Sequence, residues 1–316
     1  MRGLQAEGGS LEWREQPAVE LQEGQVRVAV AAAGLNRADL LQKAGMYPPP
    51  AGVTPVLGLE CAGTVTEVKG DSRWVVGDRV CGLLAGGGMA EEVVVDGRHL
   101  LPVPAGLDWA EAAALPEVFT TAWLNIVELG ALQPGDKVLI HAGASGVGTA
   151  AIQICKALGN PCWVTLSSED KLQACKALGA SGGALRQNGI MALQPEGPFN
   201  VVLDPVGGTY AEHHLDLLAL DGRWVVIGLM GGRDAKLDLG KLLAKRIQLT
   251  GSTLRTRSPD YKAELLARME ERLWPLFAEG ELKPMVAKTF SFEQADAAFA
   301  ELAADKIVGK VILVKE

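Results

Sequence analysis

The chain has 316 residues, 48% of them hydrophobic and 22% charged, which is enough for about two domains each with its own core. Its 30 basic and 38 acidic side chains leave a net charge of −8 with no basic run, so a nucleic-acid partner is not expected. No stretch of eighteen uncharged apolar residues exists to span a bilayer, and the first twenty residues carry charges where a signal peptide would be apolar.

The five cysteines (Cys61, Cys81, Cys155, Cys162, Cys175) are odd in number and show no Cys-x-x-Cys spacing, which fits a reducing, cytoplasmic setting. The first third then reads as short strands. GQVRVAVAAAG (24–34) alternates valines, and Val/Thr runs follow at 64–68, 74–76 and 91–95, with turn signals at Gly70-Asp71, Gly77-Asp78 and Gly86-Gly87-Gly88 between them. Strands at this spacing predict a barrel-like sheet. Tyr47 precedes three prolines, which fix an extended loop.

Residues 108–129 are apolar at helical spacing and stop at Gly130. Strands are then predicted at 137–141, 162–166, 200–203, 224–228 and 247–251, alternating with helices at 150–158, 171–178 and 213–218. Near-continuous apolar strands joined by helices predict a parallel sheet covered on both faces. The segment CKALG occurs at 155–159 and 175–179 and reads as two similar crossover helices, not a solenoid. Beyond Arg255 the chain is charged and helical, and it closes on the strand KVILV (310–314). The predicted plan is an α/β chain: a doubly wound parallel sheet (119–255) inserted into a split β domain (1–118 and 256–316).

KVLIH (137–141) runs into AGASGVG (142–148) and then a helix. A strand, a glycine turn and a helix place unpaired backbone N–H groups against an anion, and glycines let the backbone approach a pyrophosphate. The spacing Gly-x-x-Gly-x-Gly also fits a plain turn; its setting among alternating strands and helices favours a dinucleotide. Thr149 and Ala150 follow the last glycine, so the lysine of a P-loop is missing, and none of Tyr47, Tyr210 and Tyr261 has Lys four residues on, which removes a short-chain reductase mechanism. The second strand ends on Thr165-Leu166-Ser167-Ser168 without the acid that binds a ribose 2′-hydroxyl; Glu169 and Asp170 come later, in a helix's first turn. Ser168 and Lys171 suit a 2′-phosphate, so NADPH is expected over NADH.

GLNRADLLQKAGMYPPP (34–50), PVLGLECAG (55–63), VGDRVCGLLAGGGMAEEVVV (76–95), FTTAWLNI (119–126), HAGASGVGTAAIQ (141–153), DPVGG (204–208), GRWVVIGLMGG (222–232), GSTLRTRS (251–258) and KIVGKVIL (306–313) together resemble the zinc-free quinone oxidoreductases of the medium-chain dehydrogenase/reductase superfamily. The likeness covers nearly the whole chain. It is closest to the tumour-suppressor-inducible quinone oxidoreductase subgroup, with zeta-crystallin more distant. The resemblance implies a Rossmann NADPH-binding domain inserted into a GroES-like β-barrel catalytic domain.

It also implies residue roles. Zinc alcohol dehydrogenases of the superfamily carry Cys where this chain has Asn36 and His where it has Leu59, so no metal is expected; Glu60 remains and reads as buried and structural. Without a Lewis acid the acceptor must already be electron-poor, as quinones and enones are. By resemblance, Asn36 and Tyr47 line the nicotinamide end of a cleft between domains, with Tyr47 bonding or protonating the acceptor, and Thr121 positions the ring. Ser145, Gly146, Val147 and Gly148 meet the pyrophosphate, and Ser168 and Lys171 the 2′-phosphate. Gly228, Leu229, Met230, Ser252 and Leu254 wrap the nicotinamide half. Two departures stand out. Arg186 follows Gly179-Ala180 where the subgroup has a tyrosine, and offers a second cation for the 2′-phosphate; Met89 replaces an aromatic and implies a softer cleft wall.

His141, His213 and His214 receive no catalytic role, since neighbours on a helix do not share a face; Cys61 and Cys81 read as buried small hydrophobes. The expected function is NADPH-dependent hydride transfer to a quinone without metal. Its alternatives are reduction of α,β-unsaturated carbonyls and a non-catalytic NADPH-binding role. The last strands of the parallel sheet would leave an open edge, so a homodimer is expected.

Overall fold

The computed structural model describes residues 1–315. It divides into two compact units: unit 1 is Met1–Thr120 together with the chain from Leu254 onward, and unit 2 is Thr121–Thr253.

Unit 1 begins with a two-stranded antiparallel hairpin, β1 (Arg2–Glu7) and β2 (Ser10–Glu15), turned by Gly8 and Gly9 at positive φ. A seven-stranded sheet carries β3 (Gln25–Gly34), β4 (Glu60–Val68), β5 (Arg79–Leu83), β6 (Glu92–Asp96) and β7 (Leu100–Pro102). The alternate residues Val26, Val28 and Val30 of β3 are buried, as its period-2 pattern requires. β3 pairs with β4 along one edge; on the other it pairs with β6 at residues 25–29. The β3–β4 register slips twice. A Cβ on Gly63, at the second slip, would sit 2.0 Å from the Ala29 carbonyl oxygen, so only glycine lets these two backbones approach so closely.

The short helix α1 (Arg37–Lys43) follows β3, and α2 (Trp109–Ala113) and α3 (Pro116–Ala122) follow β7. The apolar run expected as one helix is thus broken, with Pro116 opening the second piece. Its last stretch, Trp123–Glu128, is a π-helix. The strand expected at 74–76 is a turn: Asp78 Oδ2 accepts from Val75 N at 2.8 Å, Val75 and Val76 face solvent, and Trp74 alone turns inward to donate to Gly97 O at 2.7 Å.

Unit 2 is a six-stranded, all-parallel sheet of β8 (Val138–His141), β9 (Cys162–Leu166), β10 (Gly182–Leu185), β11 (Phe199–Asp204), β12 (Leu218–Val226) and β13 (Gln248–Gly251). Their spatial order is β10-β9-β8-β11-β12-β13, a doubly wound arrangement that reverses direction between β8 and β11. The strands are connected by α4 (Gly146–Ala157), α5 (Glu169–Leu178), α6 (Gly208–Leu217) and α7 (Leu239–Lys245). β8 and β9 are buried along their whole length, which is why they read as continuous apolar runs.

The chain then returns to unit 1 as α8 (Pro259–Ala278), β14 (Val286–Ser291), α9 (Ala295–Ala303) and β15 (Lys310–Val314). β15 lies between β14 and β3, taking the edge of β3 at residues 32–34 that β6 leaves open. Met89 is fully buried in this unit's core beside Leu57 and Val93, so it packs the sheet and does not form a cleft wall. All five cysteines are buried free thiols. No helix among the described residues is long and apolar enough to cross a membrane.

Candidate active site

In unit 2 the sequence-selected residues gather beyond the carboxyl ends of parallel strands, where a doubly wound sheet takes its ligand. After β8 the chain makes a tight turn through Ala142, at φ +53, into α4. Ser145 caps α4, its Oγ accepting from Gly148 N at 3.1 Å. A Cβ on Gly148 would stand 2.5 Å from the carbonyl oxygens of both Ala142 and Gly143, so the turn closes only on glycine. The first-turn N–H groups of Gly146 and Val147 have no acceptor within the helix and point where an anion is stabilised.

Ser168 caps α5 after β9, accepting from Lys171 N at 3.4 Å, and Lys171 is itself buried. Arg186 is exposed just after β10. The loop 228–232 follows β12 and is bonded to the loop after β11, Met230 N to Pro205 O at 3.1 Å and Gly231 N to Val206 O at 2.7 Å. Leu229 and Met230 are exposed there, beside Gly228. Ser252, after β13, donates its N–H to Val226 O at 2.9 Å, and its hydroxyl is buried without a partner. Thr121 lies in the last turn of α3, one residue short of the π-helix's cap Ala122, and Asn125 Nδ2 donates to its carbonyl at 2.7 Å.

Beneath the glycine turn lies a pairing that sequence spacing does not reveal. His141, at the end of β8, and His214, on α6, bring their Nε2 atoms to 2.7 Å, so one ring donates and the other accepts. His141 Nδ1 lies 2.8 Å from Thr165 Oγ1, and His214 Nδ1 lies 3.7 Å from Asp204 Oδ2 without a hydrogen bond. Burial pushes His141 down to about 4 and His214 well below the usual histidine range, so both rings are neutral. The Asp204 carboxylate already accepts from Val206 N, Gly207 N and Trp224 Nε1. His141, Asp204 and His214 are close enough to share a cation, yet Asp204 faces the Nδ1 side of His214 and His141 the Nε2 side, which is the geometry of a hydrogen-bonded core.

In unit 1, Asn36 opens α1 and Tyr47 follows it, half-buried, on the proline loop. Asn36 is held in a charged cluster. Lys310 Nζ donates to Leu35 O at 2.5 Å and to Asn36 Oδ1 and Glu60 Oε1, both at 2.6 Å; Asn36 Nδ2 donates to Glu60 Oε1 at 2.9 Å; and Glu117 N donates to Glu60 Oε2 at 2.8 Å. The Glu60 side chain is fully buried and that of Lys310 is 4% exposed. Charge orders the amide: its oxygen must face the ammonium and its nitrogen the carboxylate. Asp39 accepts from Asn36 N at 2.7 Å and Gly58 N at 3.0 Å, and burial pushes its carboxyl up to about 6. Arg255, beside the buried Leu254, places its guanidinium carbon 5.2 Å from the Tyr47 ring centroid. Burial raises the Tyr47 phenol, and the Arg255 charge opposes that rise.

Residues 146–271 match the zinc-binding dehydrogenase family and residues 22–105 the alcohol dehydrogenase GroES-like domain. The quinone oxidoreductase of Thermus thermophilus, solved also in complex with NADPH, is 33% identical, with a TM-score of 0.84 over 99% of this chain and 100% of that one. The chain belongs to the medium-chain dehydrogenase/reductase family. The CurK enoyl reductase superposes with a TM-score of 0.86 at 29% identity, over 100% of this chain and 99% of that one. The polyketide synthase GfsB of Streptomyces halstedii is 36% identical over 298 residues, 93% of this chain but only 5% of that protein, so the chain spans a small part of that relative.

As a medium-chain dehydrogenase/reductase, the protein carries a GroES-like unit and a parallel Rossmann-like sheet, a fold that binds a nicotinamide dinucleotide. The residues of unit 2 fit such a cofactor: the first-turn N–H groups of Gly146 and Val147 are unpaired, Ser145 caps the helix, and Gly148 lets the turn close beneath them. The residues of unit 1 do not fit the zinc of the zinc-binding relatives. Leu59 has no ligand atom and is buried, both ends of the Asn36 amide are engaged, and Glu60 is neutralised by Lys310.

Proposed function

We propose that this protein is a zinc-independent, NADPH-dependent oxidoreductase that transfers a hydride to a quinone. The observation that carries the reading is the Lys310–Glu60–Asn36 cluster, which puts a protein ammonium where a zinc enzyme of the family keeps metal ligands. With no Lewis acid at that place, the acceptor must be electrophilic by itself. The cofactor, when bound, supplies the hydride. Ser145, Gly146, Val147 and Gly148 hold its pyrophosphate; Gly228, Leu229, Met230, Ser252 and Leu254 flank its nicotinamide half; Thr121 orients the ring. The neutral end of β9, with Ser168, Lys171 and Arg186, accepts a 2′-phosphate and favours NADPH. Tyr47 contacts the acceptor, and Asn36 fixes the start of α1 beneath it.

A second reading, reduction of an α,β-unsaturated carbonyl, draws support from the likeness to an enoyl reductase. It makes Tyr47 the donor of a proton to the α-carbon. We also propose a cytoplasmic homodimer. β13 ends the parallel sheet with Leu249 at its exposed face, and Leu239 and Leu243 of α7 are 70% and 76% exposed nearby, an edge and an apolar patch that a second copy would cover.

The deciding experiment follows nicotinamide absorbance with NADPH or NADH and a naphthoquinone, then an enone. The quinone reading expects oxidation, faster with NADPH, and Lys171→Ala raising KM for NADPH more than for NADH. Turnover of the enone alone transfers the assignment to the second reading; tight NADPH binding without either turnover makes the protein a cofactor-binding one. Sedimentation of the same preparation reads the dimer directly, against the 33.3 kDa of one chain.

A further inference from the structure

Within the core of unit 1, Asp39, Glu60, Lys262, Lys310 and Arg255 are the buried Asp, Glu, Lys and Arg side chains among the described residues. Three are cations and two are acids, one of which tends toward its neutral form; the half-buried Glu117 carboxylate acts on Arg255 and Lys262 through its charge. The cations are not paired evenly. Lys310 has three acceptors, a carboxylate among them. Arg255 has only neutral ones: Nε donates to Ala85 O at 2.7 Å and Nη2 to Gln42 Oε1 at 2.9 Å, while Nη1 is buried with no acceptor at all. The residue as a whole is only 6% exposed. Asp39 accepts from backbone N–H groups and makes no hydrogen bond to Arg255, acting on it only through its charge. The buried Lys262 ammonium adds to the positive field by donating to Arg255 O at 2.8 Å.

A guanidinium arm left without an acceptor in a buried place costs free energy unless something completes it. Its neighbour points to what that is, since the guanidinium lies over the ring of Tyr47. We propose that Arg255 is a catalytic electrophile, its Nη1 arm receiving the acceptor oxygen on which negative charge collects during reduction, with Tyr47 beside it delivering the proton. The proposal rests on the reductase reading above and holds for either acceptor class.

The balance is simple. Two electrons and a proton leave the dihydronicotinamide as hydride, which becomes oxidised. With a quinone, the hydride bonds to one carbonyl oxygen, and the displaced π pair settles on the other as the hydroquinone monoanion. With an enone, hydride adds at the β-carbon and the pair settles on the carbonyl oxygen as an enolate. Nη1–H donates to that oxygen as its charge grows. The Tyr47 hydroxyl then gives its proton, to oxygen in the first case and to the α-carbon in the second. The half-buried tyrosinate, stabilised by the same guanidinium, regains a proton from water. A cation held ready by Ala85 and Gln42 needs no reorganisation as the charge forms, which is the condition under which such donors contribute most.

The test separates this role from that of a strut between α1 and the loop at Ala85. With oxidised cofactor bound, 4-nitrophenol serves as a stand-in for the monoanion, since its phenol and phenolate absorb separately. Below the free probe's own pKa, the native protein is expected to bind it as phenolate, and Arg255→Gln to bind it protonated. Arg255→Gln should also lower kcat/KM for naphthoquinone by about a hundredfold or more, with Arg255→Lys in between. A native protein that binds the probe only as the neutral phenol overturns the proposal, and this holds whether or not the variant folds. So does an Arg255→Gln protein that keeps the phenolate and stays within about threefold of native turnover. Failure of the native protein to reduce either acceptor refutes the reductase reading instead, so the two failures are distinct.

Discussion

Lys310 and Glu60 stand 250 positions apart in the chain and meet at 2.6 Å. Removing one partner of such a buried pair strands the other. Lys310→Met is therefore expected to lower stability by about 3–5 kcal/mol, read as a shifted urea midpoint, and adding Glu60→Gln should recover part of it. A Lys310→Met protein as stable as the native one would mean that the ammonium is dispensable and the cluster a poor argument for zinc independence. Sequence made Glu60 legible as a buried structural acid, because a lone carboxylate between Leu59 and Cys61 has no company for a metal. Lys310 was not legible: one lysine at the start of a C-terminal strand reads as solvated. Arg255 was invisible for the same reason, since burial and an orphaned nitrogen belong to the fold and not to the motif around it. The His141–His214 contact escaped because helical spacing speaks only of neighbours on one helix, and the partner came from a strand.

The glycine turn is the element whose geometry sequence predicted most fully, because strand, turn and helix are adjacent and their arrangement is local. Gly148→Ala places a methyl against two carbonyl oxygens at 2.5 Å, so the turn must open. Loss of NADPH binding by about tenfold or more, measured by quenching or calorimetry, is the expected result; unchanged affinity would show that the cofactor does not sit on this turn. The hairpin of β1 and β2 is hard to read in the sequence, although Gly8-Gly9 between two alternating runs is a hairpin signal. Its charged residues on both faces masked the alternation. The opposite error occurred at 74–76, where three β-formers looked like a strand and an aspartate side chain fixed a turn instead. Propensity yielded to a local hydrogen bond.

For the whole molecule the buried histidines set a response to acid. His99, His141 and His214 are all held below their unfolded value, so the stability they confer is complete above pH about 6.5 and declines as pH falls toward 4, where the unfolded chain takes up protons that the folded chain refuses. Asp39 works the other way: its raised pKa favours the folded state below about 6, so it offsets part of the loss. The net expectation is a melting temperature that falls between pH 6.5 and 4, with the fall reduced in His214→Leu; a flat profile would contradict it.

The same discontinuity that splits unit 1 has a bearing on synthesis. β3 is made early, but the strand that completes its open edge, β15, leaves the ribosome only after every residue of unit 2. Until then Glu60 has no ammonium, and the edge of β3 opposite β4 is open at residues 32–34. Unit 2, being contiguous, can close while its host waits. Nascent chains stalled before residue 310 are thus expected to yield a protease-resistant central fragment flanked by cleavable arms, which makes the unfinished barrel the interval in which a chaperone has something to hold.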